Sequence, residues 1–246
     1  MTTSTIDILT ADGTAKAFLV KPDGGARGMP GVILYMDAFG PRAALHDMAE
    51  RIASEGYAVL VPDLFYRFGA YGPFDAKTAF KVDETAQQLR SMISGTTQAM
   101  TVADTAAFIA ALDEIGATGP IGLVGYCMGG SRALSSAAAY PARVAAAASF
   151  HGGGLASEAA DSPHLKAKAI RARVYVGTAG VDGSFPPEQS TRFAQAFREA
   201  EIDFTLENYV GVAHGWCVAD HSVYDAAGAA RHWQRLLALF AETLKS

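Results

Sequence analysis

The chain has 246 residues, half of them hydrophobic and 18% charged, with a net charge of −5 at pH 7. That length suits a single large α/β domain, residues 1–246, with a substantial core, and the acidic balance offers no footprint for nucleic acid or an anionic membrane. Cys127 and Cys217 are too few for a disulfide scaffold and lie in no metal-type cluster, no apolar run is long enough to span a bilayer, and no signal peptide opens the chain, so a cytoplasmic protein without metal or cofactor is expected.

Apolar β-type runs alternate with longer helical stretches, the pattern of a mostly parallel sheet covered on both faces. Residues 5–9 and 15–21, joined across Asp12-Gly13, read as an edge hairpin. Residues 31–36 (GVILYM) form a continuous apolar strand, as expected of one buried on both faces. It ends at Asp37-Ala38-Phe39-Gly40, before a helix over about 43–55. Asp37 thus falls at the C-terminal edge of the sheet, where open α/β sheets bind ligands; the alternative is that it only orders the loop. Residues 57–61 make the next strand. The aromatic and glycine-rich segment that follows, about 64–77, includes Arg67 and Tyr71 and reads either as a pocket roof or as a self-packed loop. Helices are expected over about 76–92, with Arg90 on it, and over 97–115. Arg67 and Arg90 are candidates for meeting an anionic substrate, or else ordinary solvated arginines.

Residues 121–126 return to a strand that runs into Gly125-Tyr126-Cys127-Met128-Gly129-Gly130 and then a small-residue helix over 131–140. Strand, tight glycine turn and helix are the context of a nucleophile elbow, here with cysteine at its apex; a buried structural cysteine is the other reading. Strand 144–150 leads into His151-Gly152-Gly153-Gly154. This spells a known oxyanion-hole motif but follows the nucleophile instead of preceding it, so it reads as a loop. Strand 173–178 leaves into a loop with Asp182, a helix covers 187–200, strand 204–209 precedes Val212-Ala213-His214-Gly215-Trp216, and a helix over about 223–244 closes the chain. The total is about seven to eight strands.

A cysteine nucleophile requires a base, and the base an orienting acid. Of six histidines, His46 precedes the nucleophile, His151 has no acid between itself and Cys127, and His164 lies in a polar helical stretch. His221 and His232 fall at or inside the last helix, which leaves His214 on a glycine-flanked loop after a late strand. Asp182 occupies the matching loop. The order Cys127, Asp182, His214 follows the nucleophile–acid–histidine order of α/β-hydrolases. The oxyanion donors expected are the N–H of Met128 and that of Ala38 or Phe39.

These motifs resemble the dienelactone hydrolase family of the α/β-hydrolase fold: GYCMGG around Cys127, AGVDGSFPP around Asp182, VAHGW around His214 and Trp216, with YMDAFG and PDLFYR nearby. The resemblance implies cleavage of a lactone or activated ester through an acyl-cysteine, of the carboxymethylenebutenolide-to-maleylacetate type. A broader carboxylesterase or thioesterase is the second reading, and a non-catalytic ligand-binding or redox-sensing protein the third. The resemblance also implies a thiol-pairing acid at Asp37, where the family carries glutamate; Arg67, Tyr71, Arg90 and Trp216 are the candidate substrate contacts. The best-known members place an arginine four residues past the histidine; this chain has Val218. The partner expected is a small-molecule ester or lactone, with the chain a monomer or homodimer.

Overall fold

The computed structural model describes residues 1–245. Strands β1 (Thr2–Thr10) and β2 (Gly13–Lys21) form the expected hairpin, longer at both ends than the sequence suggests. Then come β3 (Gly31–Tyr35), α1 (Ala43–Ser54), β4 (Ala58–Pro62), α2 (Asp83–Gly95), α3 (Gln98–Glu114), β5 (Ile121–Tyr126) and α4 (Met128–Ala139). The C-terminal half supplies β6 (Val144–Phe150), β7 (Arg173–Val181), α5 (Pro187–Glu199), β8 (Phe204–Ala213) and α6 (Ala226–Leu244). The eight strands are ordered β1-β2-β4-β3-β5-β6-β7-β8, antiparallel at the β1-β2-β4 end and parallel from β4 through β8. The mostly parallel α/β architecture expected from the sequence is present.

The apolar runs become central strands because helices cover both of their faces: every residue of β3, β4 and β5 is buried. Gly31 pairs with Ile121. A Cβ on Gly31 would stand 2.8 Å from Leu112 of α3, while one on Gly122, the next position along β5, would stand 2.8 Å from Phe240 and Leu244 of α6. Successive residues therefore face opposite layers, as the strand period of two demands. On one face α3 meets α4 through Thr105 Oγ1 and Ser136 Oγ at 3.1 Å; on the other, α1 meets α6 with the Arg51 guanidinium 4.4 Å from the Trp233 ring centroid.

Two boundaries differ from expectation. The stretch over 76–92 is not one helix: turns and a short 3₁₀ segment, Ala79–Lys81, precede α2. The Asp75 carboxylate accepts from the Lys77 amide at 2.9 Å and from Thr78 Oγ1 at 3.0 Å, which holds the start of that segment in a turn. The last helix begins at Ala226, where the Asp225 carboxylate accepts from Gly228 N at 2.6 Å. Residues 217–225 are consequently turns, and His221 lies in them rather than on the helix.

Helix α4 sets the position of the site. From Met128 to Ala138 every residue is buried, and its glycines, alanines and serines let it lie close between β5, β6 and α3. Its one charged residue is Arg132.

Candidate active site

Cys127 stands between β5 and α4 with φ 54° and ψ −120°, a conformation that costs a non-glycine residue on the order of 1–3 kcal/mol and persists only when its surroundings enforce it. The enforcement is steric. A Cβ on Gly125 would collide with the backbone carbonyl of Gly129, and one on Gly129 would come within 2.5 Å of Tyr35 O and 2.6 Å of Met36 O. The turn therefore folds against itself and against β3. The Cys127 N–H is shared between Phe150 O at 3.2 Å and His151 Nδ1 at 3.1 Å. The half-buried thiol faces a cavity of about 530 Å³ lined, among others, by Ala38, Phe39, Met128, Arg132, Asp182, His214 and His221.

Three sequence candidates thus meet at one cavity: Cys127, Asp182 and His214. Strand β7 ends just before Asp182 and β8 just before His214, on neighbouring parallel strands whose ends share an edge. His214 Nδ1 lies 2.7 Å from Asp182 Oδ2. The other oxygen, Oδ1, accepts from the Ser184 amide at 2.8 Å and from Ser184 Oγ at 2.6 Å, so the carboxylate is fixed at both ends. Burial opposes the imidazolium of His214, yet the bond to Asp182 and the proximity of Cys127 outweigh it and push its pKa up to about 10. Burial also works against the Asp182 carboxylate, and the His214 and Ser184 hydrogen bonds overcome it, holding its pKa below the usual carboxylate range.

Of the oxyanion candidates, Met128 opens α4, where an amide has no intrahelical acceptor. The Ala38 N–H has no acceptor among the described residues. The Phe39 N–H differs from expectation: it donates to Asp37 Oδ1 at 3.0 Å and is committed there.

Asp37 has other partners than the thiol. It is fully buried; its Oδ1 and Oδ2 accept from Arg42 Nη1 at 2.7 Å and Nη2 at 2.9 Å, and Oδ2 also meets His221 Nε2 at 3.0 Å. Arg42 reaches on to Asp220, with Nε 2.6 Å from Oδ2 and Nη2 2.8 Å from Oδ1. Burial alone would raise the Asp37 pKa, but His221 and Arg42 hold it below the usual range. With its oxygens occupied, Asp37 makes no hydrogen bond to Cys127 among the described residues.

The four suggested substrate contacts do not line this cavity. Arg67 is tied by Asp12 and Asp104, its Nη1 2.8 Å from Asp104 Oδ2. Tyr71 donates to Asp63 at 2.5 Å. Arg90 is exposed on α2, and Trp216 is fully buried against Tyr209, with ring centroids 4.7 Å apart. Arg67, Tyr71 and Trp216 each find a partner within the fold before any ligand is needed. Val218 is buried as well.

Three residues that face or support the site carried no clear signal. His151 supplies the second acceptor for the Cys127 amide, and its ring centroid lies 4.8 Å from that of His214. His221 lines the cavity and holds Asp37. Arg132 lines it too, and only its place in a run of glycine, serine and alanine marks it in the sequence. Cys217 is buried in the core, its thiol pKa pushed well up by burial. No described helix is long and apolar enough to cross a membrane.

The family model described as "Dienelactone hydrolase family" matches residues 15–244. A curated relative from Synechocystis sp., named "Putative carboxymethylenebutenolidase", is 29% identical over 221 residues, covering 88% of this chain and 87% of its own. One of the same name from Yersinia pestis is 27% identical over 229 residues, covering 92% and 83%. Among solved structures, a "Putative Dienelactone Hydrolase" from Klebsiella pneumoniae superposes with TM-score 0.84 at 24% identity over 98% of both chains, a likeness of fold. A dienelactone hydrolase-like promiscuous phosphotriesterase, P91, from metagenomic libraries gives TM-score 0.81 at 25% identity over 99% of this chain and 98% of that one. With its elbow at the end of β5, its mostly parallel sheet and a family match along nearly its whole length, this chain has the α/β-hydrolase fold and belongs to the dienelactone hydrolase family.

Proposed function

We propose that this chain hydrolyses a lactone or activated carboxylic ester through an acyl-cysteine, with Cys127 as nucleophile, His214 as proton carrier and Asp182 as its orienting acid. The observation that carries the reading is the 2.7 Å contact of His214 Nδ1 with Asp182 Oδ2 in a cavity shared with a cysteine on a strained elbow. The Cys127 sulfur, having passed its proton to His214, adds to the carbonyl carbon. The oxyanion that forms is met by the amides of Met128 and Ala38. Collapse breaks the carbon–oxygen bond of the ester, and the departing oxygen takes the proton back from the imidazolium. In a lactone that oxygen stays tethered to the acyl group. Water then gives a proton to His214 as it attacks the thioester, and the thiolate leaves as the acid is released.

Activated esters suit such a site better than amides, because an amine leaves a thiol adduct poorly. The substrate is of the carboxymethylenebutenolide type or a broader ester. Two observations favour the broader ester: the position four residues past His214 is a buried valine, and a relative of similar fold is called a promiscuous phosphotriesterase. Turnover of a dienelactone beside 4-nitrophenyl acetate, by the wild type and by Cys127→Ala, tests the proposal. Loss of both activities in the variant is expected; a variant as active as the wild type would end the cysteine mechanism, and a strong lactone preference in the wild type would select the narrower substrate.

A further inference from the structure

The run His151-Gly152-Gly153-Gly154 follows β6, and its first residue is buried behind the elbow. His151 is 1% exposed and has φ 40°, a left-handed setting uncommon for a residue with a side chain. Its N–H donates to Gly177 O of β7 at 2.9 Å. Its ring reaches the elbow after β5, where Nδ1 accepts the Cys127 N–H at 3.1 Å. To accept, Nδ1 must keep its lone pair, so the ring proton sits on Nε2. That N–H is buried with no acceptor among the described residues, although an unpaired buried donor is unfavourable. The tautomer is therefore fixed by what Nδ1 does and not by any partner of Nε2. Burial, and after it the neighbouring His214, His221 and His232, push the His151 pKa well below normal, so the ring stays neutral.

The same ring touches the base. Cys127 and His214 follow β5 and β8, strands that β6 and β7 separate in the sheet. The His151 ring centroid lies 4.8 Å from that of His214, with the planes inclined at 64°, and 5.4 Å from that of Trp216. On the other side of the Cys127 Cα, its carbonyl accepts from Gly130 N at 3.1 Å. Both peptide groups flanking that Cα are thus tied, including the one that carries the Met128 N–H. The glycines after His151 run on to the acid. A Cβ on Gly152 would stand 3.4 Å from Gly130 Cα and one on Gly153 3.2 Å from Ser184 Cβ, while the Gly154 N–H donates to Ser184 O at 2.9 Å. Ser184 in turn holds Asp182. His151 itself does not line the cavity.

We propose that His151 is a positioning residue of this site: it accepts the Cys127 amide and packs against the His214 ring, and so sets sulfur and imidazole in one mutual arrangement. The inference rests on the hydrolase reading above for its effect on turnover, while its effect on the geometry of the thiol does not need that reading. His151 meets no substrate and moves no proton. It acts through the two residues it touches.

The test measures kcat and KM on 4-nitrophenyl acetate, and the rate of Cys127 alkylation by iodoacetamide, in three variants. His151→Asn places an oxygen where Nδ1 stood and tolerates the positive φ. His151→Leu keeps the branched shape but accepts nothing, and His151→Gly accepts nothing yet is free of backbone strain. The leucine and glycine variants are expected to lose about tenfold or more in kcat with KM within about twofold, and the asparagine variant to stay within about threefold of the wild type. Alkylation should follow the same order, because Cys127 and His214 share a hydrogen bond that sets the reactivity of the sulfur. Equal losses in all three variants overturn the proposal, since a ring that only fills space is missed alike in each. Wild-type kcat in the glycine variant overturns it too, by showing that the acceptor is not needed. Should the variants not fold, nitrogen NMR of the wild-type imidazoles decides: a proton on Nε2 of His151 near neutral pH is expected, and a proton on Nδ1 overturns the proposal. If the wild type hydrolyses no ester, yet alkylation is slow in the leucine and glycine variants and restored by asparagine, the hydrolase reading fails while the positioning role stands.

Discussion

His221 Nε2 lies 3.0 Å from Asp37 Oδ2 across 184 residues of chain, and Arg42 completes the arrangement by gripping both Asp37 oxygens and Asp220. The loop after β3, which presents the Ala38 amide, is thereby tied to the turns between β8 and α6. Removing one partner of a buried ion pair leaves the other charge uncompensated, a cost of about 3–5 kcal/mol. Asp37→Ala is expected to destabilise by that order. Asp220→Asn, at a carboxylate that is partly exposed, should cost about 1 kcal/mol or less. Urea unfolding of the two variants checks the contrast; equal losses would mean the buried half of the network carries no special weight.

Ser184 braces Asp182 through both its amide and its hydroxyl. Asp182→Asn removes the acceptor that orients His214 and is expected to lower kcat at least about 100-fold, within the usual range for a positioned proton carrier. Ser184→Ala deletes one neutral-to-charged hydrogen bond and should lower kcat/KM by roughly 3–30-fold. Steady-state kinetics on 4-nitrophenyl acetate read both; a Ser184→Ala loss as large as that of Asp182→Asn would show that the hydroxyl has a role beyond bracing.

The two thiols differ in access. Cys127 is half-buried at the cavity, whereas Cys217 is 3% exposed within the core. Iodoacetamide on the native protein is expected to add one carbamidomethyl group, at Cys127, and a second only after denaturation. Intact-mass analysis followed by peptide mapping shows which; a native double adduct would mean the core around Cys217 opens readily.

Stability should peak near neutrality, for reasons of opposite sign. Burial depresses the pKa of His151 well below normal, aided by neighbouring histidines, and brings that of His232 to about 3. Their imidazoles are free to protonate in the unfolded chain below about pH 6.5 but not in the folded one, so stability falls as pH drops from there toward 3. His214 behaves the other way. Against burial, Asp182 and Cys127 raise it to about 10, so its contribution is complete below about pH 6.5 and is lost as pH climbs through 10. Urea midpoints across pH 4–10 check this, and His214→Asn is expected to flatten the alkaline limb alone.

Much of this architecture is legible in the sequence because its signals are local. Residues 31–36 and 121–126 read as strands since burial on two faces leaves no polar alternation to obscure them. Cys127, Asp182 and His214 stand out because each follows a strand and sits beside glycine, which the turns require. The misreadings concern partners. Arg67 and Tyr71 look available until the fold brings Asp12, Asp104 and Asp63 to them. His221 looks helical until the Asp225 cap delays α6. Such pairings depend on long-range placement, and no spacing along the chain records them.

The crowding at the elbow bears on how this scaffold tolerates change. The corner at Cys127 is formed by backbone pressing on backbone, at Gly125 against Gly129 and at Gly129 against the end of β3, so no neighbouring side chain can yield to make room for a methyl group. A drifting lineage is free to revise the loops that bear on the ligand while this junction stays frozen, and a library of new specificities is best seeded in those loops, with the glycines left alone.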